Sequence, residues 1–310
     1  MSRAVVFAYH NVGVRCLKAL IGRGVEVALV VTHQDNPNEN IWFASVSQVA
    51  RDYGIPVITP DDPNAPEVVE QVQSCQADFL FSFYYRHMLK APLLEAARRG
   101  AYNMHGSLLP KYRGRVPINW AVIHGETETG ATLHQMNVKP DNGPIVDQMA
   151  VPILPDDSAD EVFAKVTVAA EMVLWRSLPG LIAGDAPHVQ QDLSLGGYFG
   201  GRKPEDGRPE DGRIDSLASA ERLHDFARAL TRPFPGAFAD TAAGRLLLWK
   251  TLRAGSAAPA ERAELRCADG RLWLHCADGG RLAVLEAELA GLPLTADNFA
   301  ARVAADALAL

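Results

Sequence analysis

The sequence predicts an α/β protein: a mainly parallel sheet with helices on both faces, followed by a smaller C-terminal β-barrel domain. Three observations predict it. Short apolar runs alternate with segments of helical period through residue 82, a polar glycine-rich stretch near residue 200 breaks that pattern, and short strand-like runs divided by turn residues follow it.

Ala4 to Ala8 is a compact apolar run, and Val14, Leu17, Leu20 and Ile21 recur at helical spacing before Gly22 and Gly24 stop the helix. A second apolar run, Val25 to Val31, leads into the polar loop Thr32 to Glu39, where Asn36 and Pro37 favour turn geometry. A helix over 45–52, a short strand at 56–58, a helix over 66–73 and a very apolar strand from Asp78 to Ser82 continue the alternation. Strands buried on both faces in this way belong to a parallel sheet covered by helices. Ligands of such sheets bind beyond the carboxyl ends of the strands, which directs attention to Tyr9 to Gly13, Phe83 to Met88 and the loop after Tyr102. Gly196 to Ser216 is Gly-rich and charged, with Pro-Glu-Asp-Gly-Arg at 204–208 repeated at 209–213, and reads as a linker. A helix near 218–229, the turn Arg232-Pro233-Phe234-Pro235-Gly236, and strands at 245–249, 271–276 and 282–285 follow. With Ala-Asp-Gly turns at 268–270 and 277–279, these are spaced like a small barrel. The expected division is a Rossmann-like domain over 1–198, a linker over 199–217 and an OB-like domain over 218–310.

A chain of 310 residues, 48% of them hydrophobic, can bury two cores of unequal size. No stretch approaches the ~18 uninterrupted apolar residues of a membrane helix, and the N-terminal apolar run is too short for a signal peptide. A cytoplasmic protein with no membrane partner is expected. Cys16, Cys75, Cys267 and Cys276 lie far apart with no C-x-x-C pair, so buried reduced thiols are expected rather than a zinc site or disulfides. The formal charge of −7 argues against broad affinity for nucleic acid. Gly13 and Gly22 do not make the G-x-G-x-x-G pattern after a strand, so the sequence does not support bound NAD.

The segment from Ala101 to Trp120 carries the chemistry. Side chains at i and i+2 of an extended chain share a face, so Asn103 and His105 can point into one crevice. Acyl transfer to an amine needs such a pair: an amide N–H to stabilise the oxyanion and an imidazole to take a proton. An Asn-x-His triplet alone is outweighed by an ordinary structural histidine. Here Gly106, Ser107, Leu108, Leu109, Pro110, Tyr112, Arg113, Gly114, Pro117 and Trp120 follow it. The whole string resembles the signature of the 10-formyltetrahydrofolate-dependent formyltransferase family, in which Asn-x-His precedes Gly/Pro-Ser-Leu-Leu-Pro, Tyr-Arg-Gly, Pro and Trp.

That resemblance implies catalytic roles for Asn103, His105 and Asp141, the last in the segment Gly130 to Ile145, where a carboxylate beside the imidazole fixes its proton. Gly143 is expected to let that loop turn tightly. Folate contacts are implied at His87, Met88 and Leu89 and at Asn137, Val138, Lys139, Pro140 and Asp141, with Arg115 as a side-chain contributor. Without the resemblance, Arg113 and Arg115 read as a solvated basic loop. Within the family the likeness is strongest to members that formylate UDP-4-amino-4-deoxy-L-arabinose in lipid A modification and polymyxin resistance. It rests on Phe7 to Asn11, Thr32, His33, Asp35 to Pro37, Phe81 to His87, His124 to Gly130 and Arg232 to Phe238, all but the last being expected to line the acceptor side. The resemblance implies 10-formyltetrahydrofolate as donor, a nucleotide-linked amino sugar as acceptor and no metal. Because the bifunctional relatives carry a decarboxylase half, it also implies a separate decarboxylase in the same pathway. Ser216 stands where tryptophan is usual, and the chain diverges most beyond Lys250. The alternatives are a methionyl-tRNA formyltransferase, a hydrolase of the same donor, and a binding module without catalysis. The first should need basic surface, whereas residues 35–40 are polar to acidic.

Overall fold

The apolar runs become strands in the order the alternation predicts. In the computed structural model, which describes residues 2–201, 209–256 and 258–310, these are β1 (Arg3–Ala8), α1 (His10–Gly22), β2 (Glu26–Val31), α2 (Val46–Asp52), β3 (Val57–Ile58), α3 (Pro66–Ser74), β4 (Phe79–Phe83), α4 (Ala91–Leu94) and β5 (Ala101–His105). β1 lies parallel to both β2 and β4, and β4 is parallel to β5. Val5 and Phe7 pack with Leu29, Val31 and Leu80 against Val68 and Val72 of α3 and Leu93 of α4. Ala8, of the other pleat, lies under Gly13 of α1, where an added Cβ would stand 3.1 Å from the Ala8 Cβ. Helices therefore cover both faces of β1, which is why Ala4 to Ala8 is uniformly apolar rather than alternating.

The chain continues through β6 (Arg113–Gly114), α5 (Pro117–Ile123), β7 (Glu128–Gln135), β8 (Ile145–Pro152), α6 (Ala159–Ala183) and β9 (Tyr198–Phe199). β7 pairs antiparallel with β5 and completes a seven-stranded sheet of order β3-β2-β1-β4-β5-β7-β8. The strand order reverses between β1 and β4, the switch point of open α/β sheets. Among the described residues, α6 is the one helix long and apolar enough by composition to cross a membrane. Charges nonetheless interrupt it, and Arg176 is bound to Asp147 at 2.8 Å. Cys16 and Cys276 are buried as expected, whereas Cys75 and Cys267 are partly exposed.

Two compact units divide the chain: one holds residues up to 117, 128–151 and 163–200, the other 118–127, 152–162 and 201–310. The second unit contains α7 (Ala220–Leu230), β10 (Ala237–Thr241), β11 (Gly244–Ser256), β12 (Glu264–Ala268), β13 (Arg271–His275), β14 (Gly280–Leu289), β15 (Leu292–Leu294), α8 (Ala296–Val303) and β16 (Ala307–Ala309). Its antiparallel, barrel-like sheet runs β10-β11-β14-β13-β12-β16, with β15 beside β14. Leu246, Leu248, Leu265, Leu274, Leu282 and Leu289 form its core with Leu223, Ala227 and Leu230 of α7. The first copy of the Pro-Glu-Asp-Gly-Arg repeat, 204–208, lies outside the described residues. The Ser216 carbonyl accepts from the Ala263 N–H at 2.7 Å.

Helix α7 also carries a buried ion pair, Asp225 to Arg228 at 2.8 Å with both side chains 8% exposed, and Arg228 donates onward to the Asp157 carbonyl at 2.7 Å. Truncating one partner strands the other charge. Arg228→Met is therefore expected to destabilise the protein by about 3–5 kcal/mol, read from denaturant unfolding. A loss below about 1 kcal/mol would show that Asp225 is solvated after all.

Candidate active site

Strand β5 presents Asn103 and His105 at i and i+2, and the antiparallel register sets His134 of β7 opposite Asn103 and Thr132 opposite His105. Two of these side chains, the imidazoles, meet one carboxylate. Asp141 Oδ1 lies 3.6 Å from His105 Nδ1 and 3.6 Å from His134 Nε2, while Oδ2 accepts from the Gly114 N–H at 2.8 Å. Carbonyl oxygens only accept, which fixes two ring protons. His105 Nε2–H donates to the Tyr112 carbonyl at 2.8 Å, leaving Nδ1 to face Asp141. His134 Nδ1–H donates to the Gln135 carbonyl at 2.9 Å, leaving Nε2 to accept from Asn103 Nδ2 at 3.2 Å. The second N–H of Asn103 has no partner among the described residues.

The three residues expected together, Asn103, His105 and Asp141, thus converge in one unit. His134 is a fourth member that sequence reasoning passed over. The available signal was a buried strand with polar alternation, since Thr132 is 0% and His134 2% exposed. Burial pushes the Asp141 carboxyl upward, but the adjacent His105 and His134 imidazoles and the Gly114 N–H outweigh it, and the group is held far below the ordinary carboxylate range.

The Asp141 loop is shaped by close packing. Asp141 itself adopts φ +55°, so the left-handed residue of this turn is the aspartate rather than Gly143. Gly143 is required for another reason: a Cβ there would fall 1.8 Å from the Gln135 carbonyl oxygen. Gly143→Ala must displace backbone, and a loss of about 1–3 kcal/mol is expected in thermal or denaturant unfolding. An unchanged midpoint would contradict this packing.

The residues expected to touch folate lie in two loops. His87 and Met88, after β4, are exposed, whereas Leu89 is buried, and the Met88 carbonyl accepts from Asn64 at 2.9 Å. Asn137, Val138 and Lys139 are exposed, Pro140 is half-buried, and Asn137 Oδ1 accepts from the Lys139 N–H at 2.9 Å. The two arginines of the signature part company. Arg115 is exposed, with no side-chain hydrogen bond among the described residues, while Arg113 donates to Asn142 and to the Gly196 carbonyl, each at 2.9 Å.

At the switch point a residue of positive φ lies just beyond each of β1 and β4, His10 at 66° and Tyr84 at 57°. Both rings pack on Phe163, with centroids 4.7 and 5.7 Å away, and His10 also lies 4.0 Å from Phe43. His10 Nδ1 and the hydroxyls of Tyr84 and Tyr85 are buried and have no hydrogen-bond partner among the described residues. His33 stacks on Tyr85 at 4.1 Å. Burial, with Arg86 adding to it, pushes His10 down to about 3; burial, His87 and Arg86 push His33 down to about 4. Both rings are neutral at pH 7. Trp42, Phe43 and Phe163 were not singled out from sequence, because isolated aromatics in a loop and a helix carry no period. His124 to Thr127 belong to the second unit.

The sequence matches the formyl transferase family over residues 3–178 and that family's C-terminal domain over 208–303. The chain belongs to the formyl transferase family. Among solved structures similar to this formyltransferase is the N-formyltransferase of Helicobacter canadensis, in complex with folinic acid and dTDP-3-aminofucose. It is 19% identical, with a TM-score of 0.70 over 92% of this chain and 99% of that one. A 4-N formyltransferase of Francisella tularensis is 19% identical, with a TM-score of 0.63 over 78% of this chain and 94% of its own. Glycinamide ribonucleotide transformylase 1 of Symbiobacterium toebii is 23% identical, with a TM-score of 0.52 over 59% of this chain and 89% of its own. At these identities the likeness is one of fold. Among the described residues no group of three His, Cys, Asp or Glu side chains is placed to hold a metal ion.

Proposed function

We propose that this formyltransferase carries the formyl group of 10-formyltetrahydrofolate to the primary amine of a nucleotide-linked amino sugar, with UDP-4-amino-4-deoxy-L-arabinose as the acceptor its loops resemble most. The convergence of Asn103, His105 and Asp141 on one end of β5 carries the proposal. The acceptor class draws support from the Helicobacter canadensis structure, which is a complex with folinic acid and dTDP-3-aminofucose. Neutral rings at His10 and His33 suit an uncharged sugar ring.

In this scheme the acceptor nitrogen attacks the formyl carbon, and the carbonyl electron pair moves onto oxygen. The free N–H of Asn103 donates to that oxyanion. The amine loses a proton, N10 of the folate gains one, and the carbon–N10 bond breaks to release tetrahydrofolate. His105 mediates this exchange through Nδ1, because its Nε2–H is committed to the Tyr112 carbonyl. Asp141, ionised throughout the working range, holds a negative charge beside that nitrogen. The residues at 87–89, 137–141 and Arg115 are assigned to the donor.

The test follows tetrahydrofolate release from 10-formyltetrahydrofolate with UDP-4-amino-4-deoxy-L-arabinose, other nucleotide amino sugars and charged initiator tRNA in separate reactions. Release that depends on an amino sugar supports the proposal. Release with tRNA alone assigns the chain to the initiator-tRNA reaction, and release without any acceptor makes it a hydrolase.

A further inference from the structure

The segment from 189 to 199 falls between the two stretches that match the family, 3–178 and 208–303, yet it is wired to the Asp141 loop. Val189 and Ile145 exchange two backbone hydrogen bonds of 2.8 Å, which sets Gln191 beside the turn at 141–143. Gln191 Nε2 then spends both N–H groups there, on the Asp141 carbonyl at 2.9 Å and the Gly143 carbonyl at 2.7 Å. Further along, Gly197 O accepts from the Arg113 N–H at 3.0 Å and Phe199 O from the Arg115 N–H at 2.9 Å, joining the strap to the strand whose Gly114 N–H holds the Asp141 carboxylate. A Cβ at Gly196 would stand 1.9 Å from the Pro110 carbonyl oxygen, so the strap lies directly on the signature loop.

We infer that Gln191 is a positioning residue for the formyl-transfer site, bridging both sides of the left-handed turn at Asp141 and thereby fixing its carboxylate against His105 and His134. Only the kinetic consequence of this role rests on the proposed reaction. The left-handed conformation of a non-glycine residue is costly and persists where surrounding bonds determine it; here the Gln191 amide reaches the carbonyls on both sides of the turn at once. The charged and titratable groups facing Asp141 are His105 from β5 and His134 from β7, with Arg113 from β6 held against its neighbour Asn142. A loop that relaxes carries the carboxylate away from all of them. Small displacements of this kind in reacting groups cost tenfold to a hundredfold in rate.

The experiment compares the intact protein with Gln191→Leu, the milder Gln191→Asn and, as a control on the same strap, Leu195→Ala, whose side chain is 67% exposed. The Asp141 carboxyl is titrated by ¹³C NMR in each folded variant without substrate, and kcat and KM are then measured. The expected result in either Gln191 variant is an Asp141 titration moved to higher pH, with kcat lowered about tenfold or more and acceptor KM changed less than about threefold. Leu195→Ala should match the wild type. A folded Gln191 variant with an unmoved Asp141 titration overturns the inference, even if its melting temperature falls. The titration needs no turnover, so a wild-type protein that formylates no amino sugar would defeat the proposed function while leaving this result standing.

Discussion

Replacing Asn103 by Ala lowers kcat by about 10²-fold or more, while 10-formyltetrahydrofolate binds nearly as before. The expectation follows from how the amide is spent. One Asn103 N–H pairs with His134 Nε2 at 3.2 Å, so the side chain is oriented before substrate arrives and its second N–H is preorganised for charge that exists only as the carbon becomes tetrahedral. Steady-state kinetics with a separate equilibrium measurement of donor binding checks it. A loss confined to donor affinity would move Asn103 from the reaction to folate binding, and an undiminished kcat would remove its role altogether.

The second large effect belongs to Asp141. Asp141→Asn keeps the shape and removes the charge that faces two imidazoles, and a fall in kcat of about 10²-fold is expected. The same substitution changes how stability depends on pH. The carboxyl is depressed in the folded protein, so its stabilisation is complete above the ordinary unfolded value of about 3.9 and disappears as pH falls through the lower folded value. The variant should therefore be the less stable protein at neutral pH, and the gap should close only in acid below that value. Unfolding curves taken at several pH values decide the matter. A gap that stays constant into strong acid would mean that packing, not charge, makes the difference.

How much of this was legible in the sequence depended on whether neighbours in space were also neighbours in pattern. Strands β1, β2 and β4 announced themselves because burial on both faces leaves apolar runs such as Ala4 to Ala8. The start of α1 was hidden by its polar first turn, so the helix begins at His10 rather than Val14. Strand β7 had no apolar run to show: Thr129, Thr132 and His134 are all buried in it. Asn103 and His105 could be paired from strand period alone. Asp141 could not, since its approach to them depends on the antiparallel return of β7 and on a loop held by Gly114 and Gln191, and only the family resemblance pointed to it. Polar alternation marks the strand of His134 but not its register opposite Asn103, and Gln191 has no mark in a single sequence, because its place is set by the bridge of Val189 to Ile145.

The most direct test of the account follows the formyl carbon itself. With donor labelled at that carbon and UDP-4-amino-4-deoxy-L-arabinose as acceptor, the account predicts label in an amide on the sugar nitrogen, formed by the wild type and nearly abolished in Asn103→Ala. Label recovered as free formate, or carried only by charged tRNA, would contradict it.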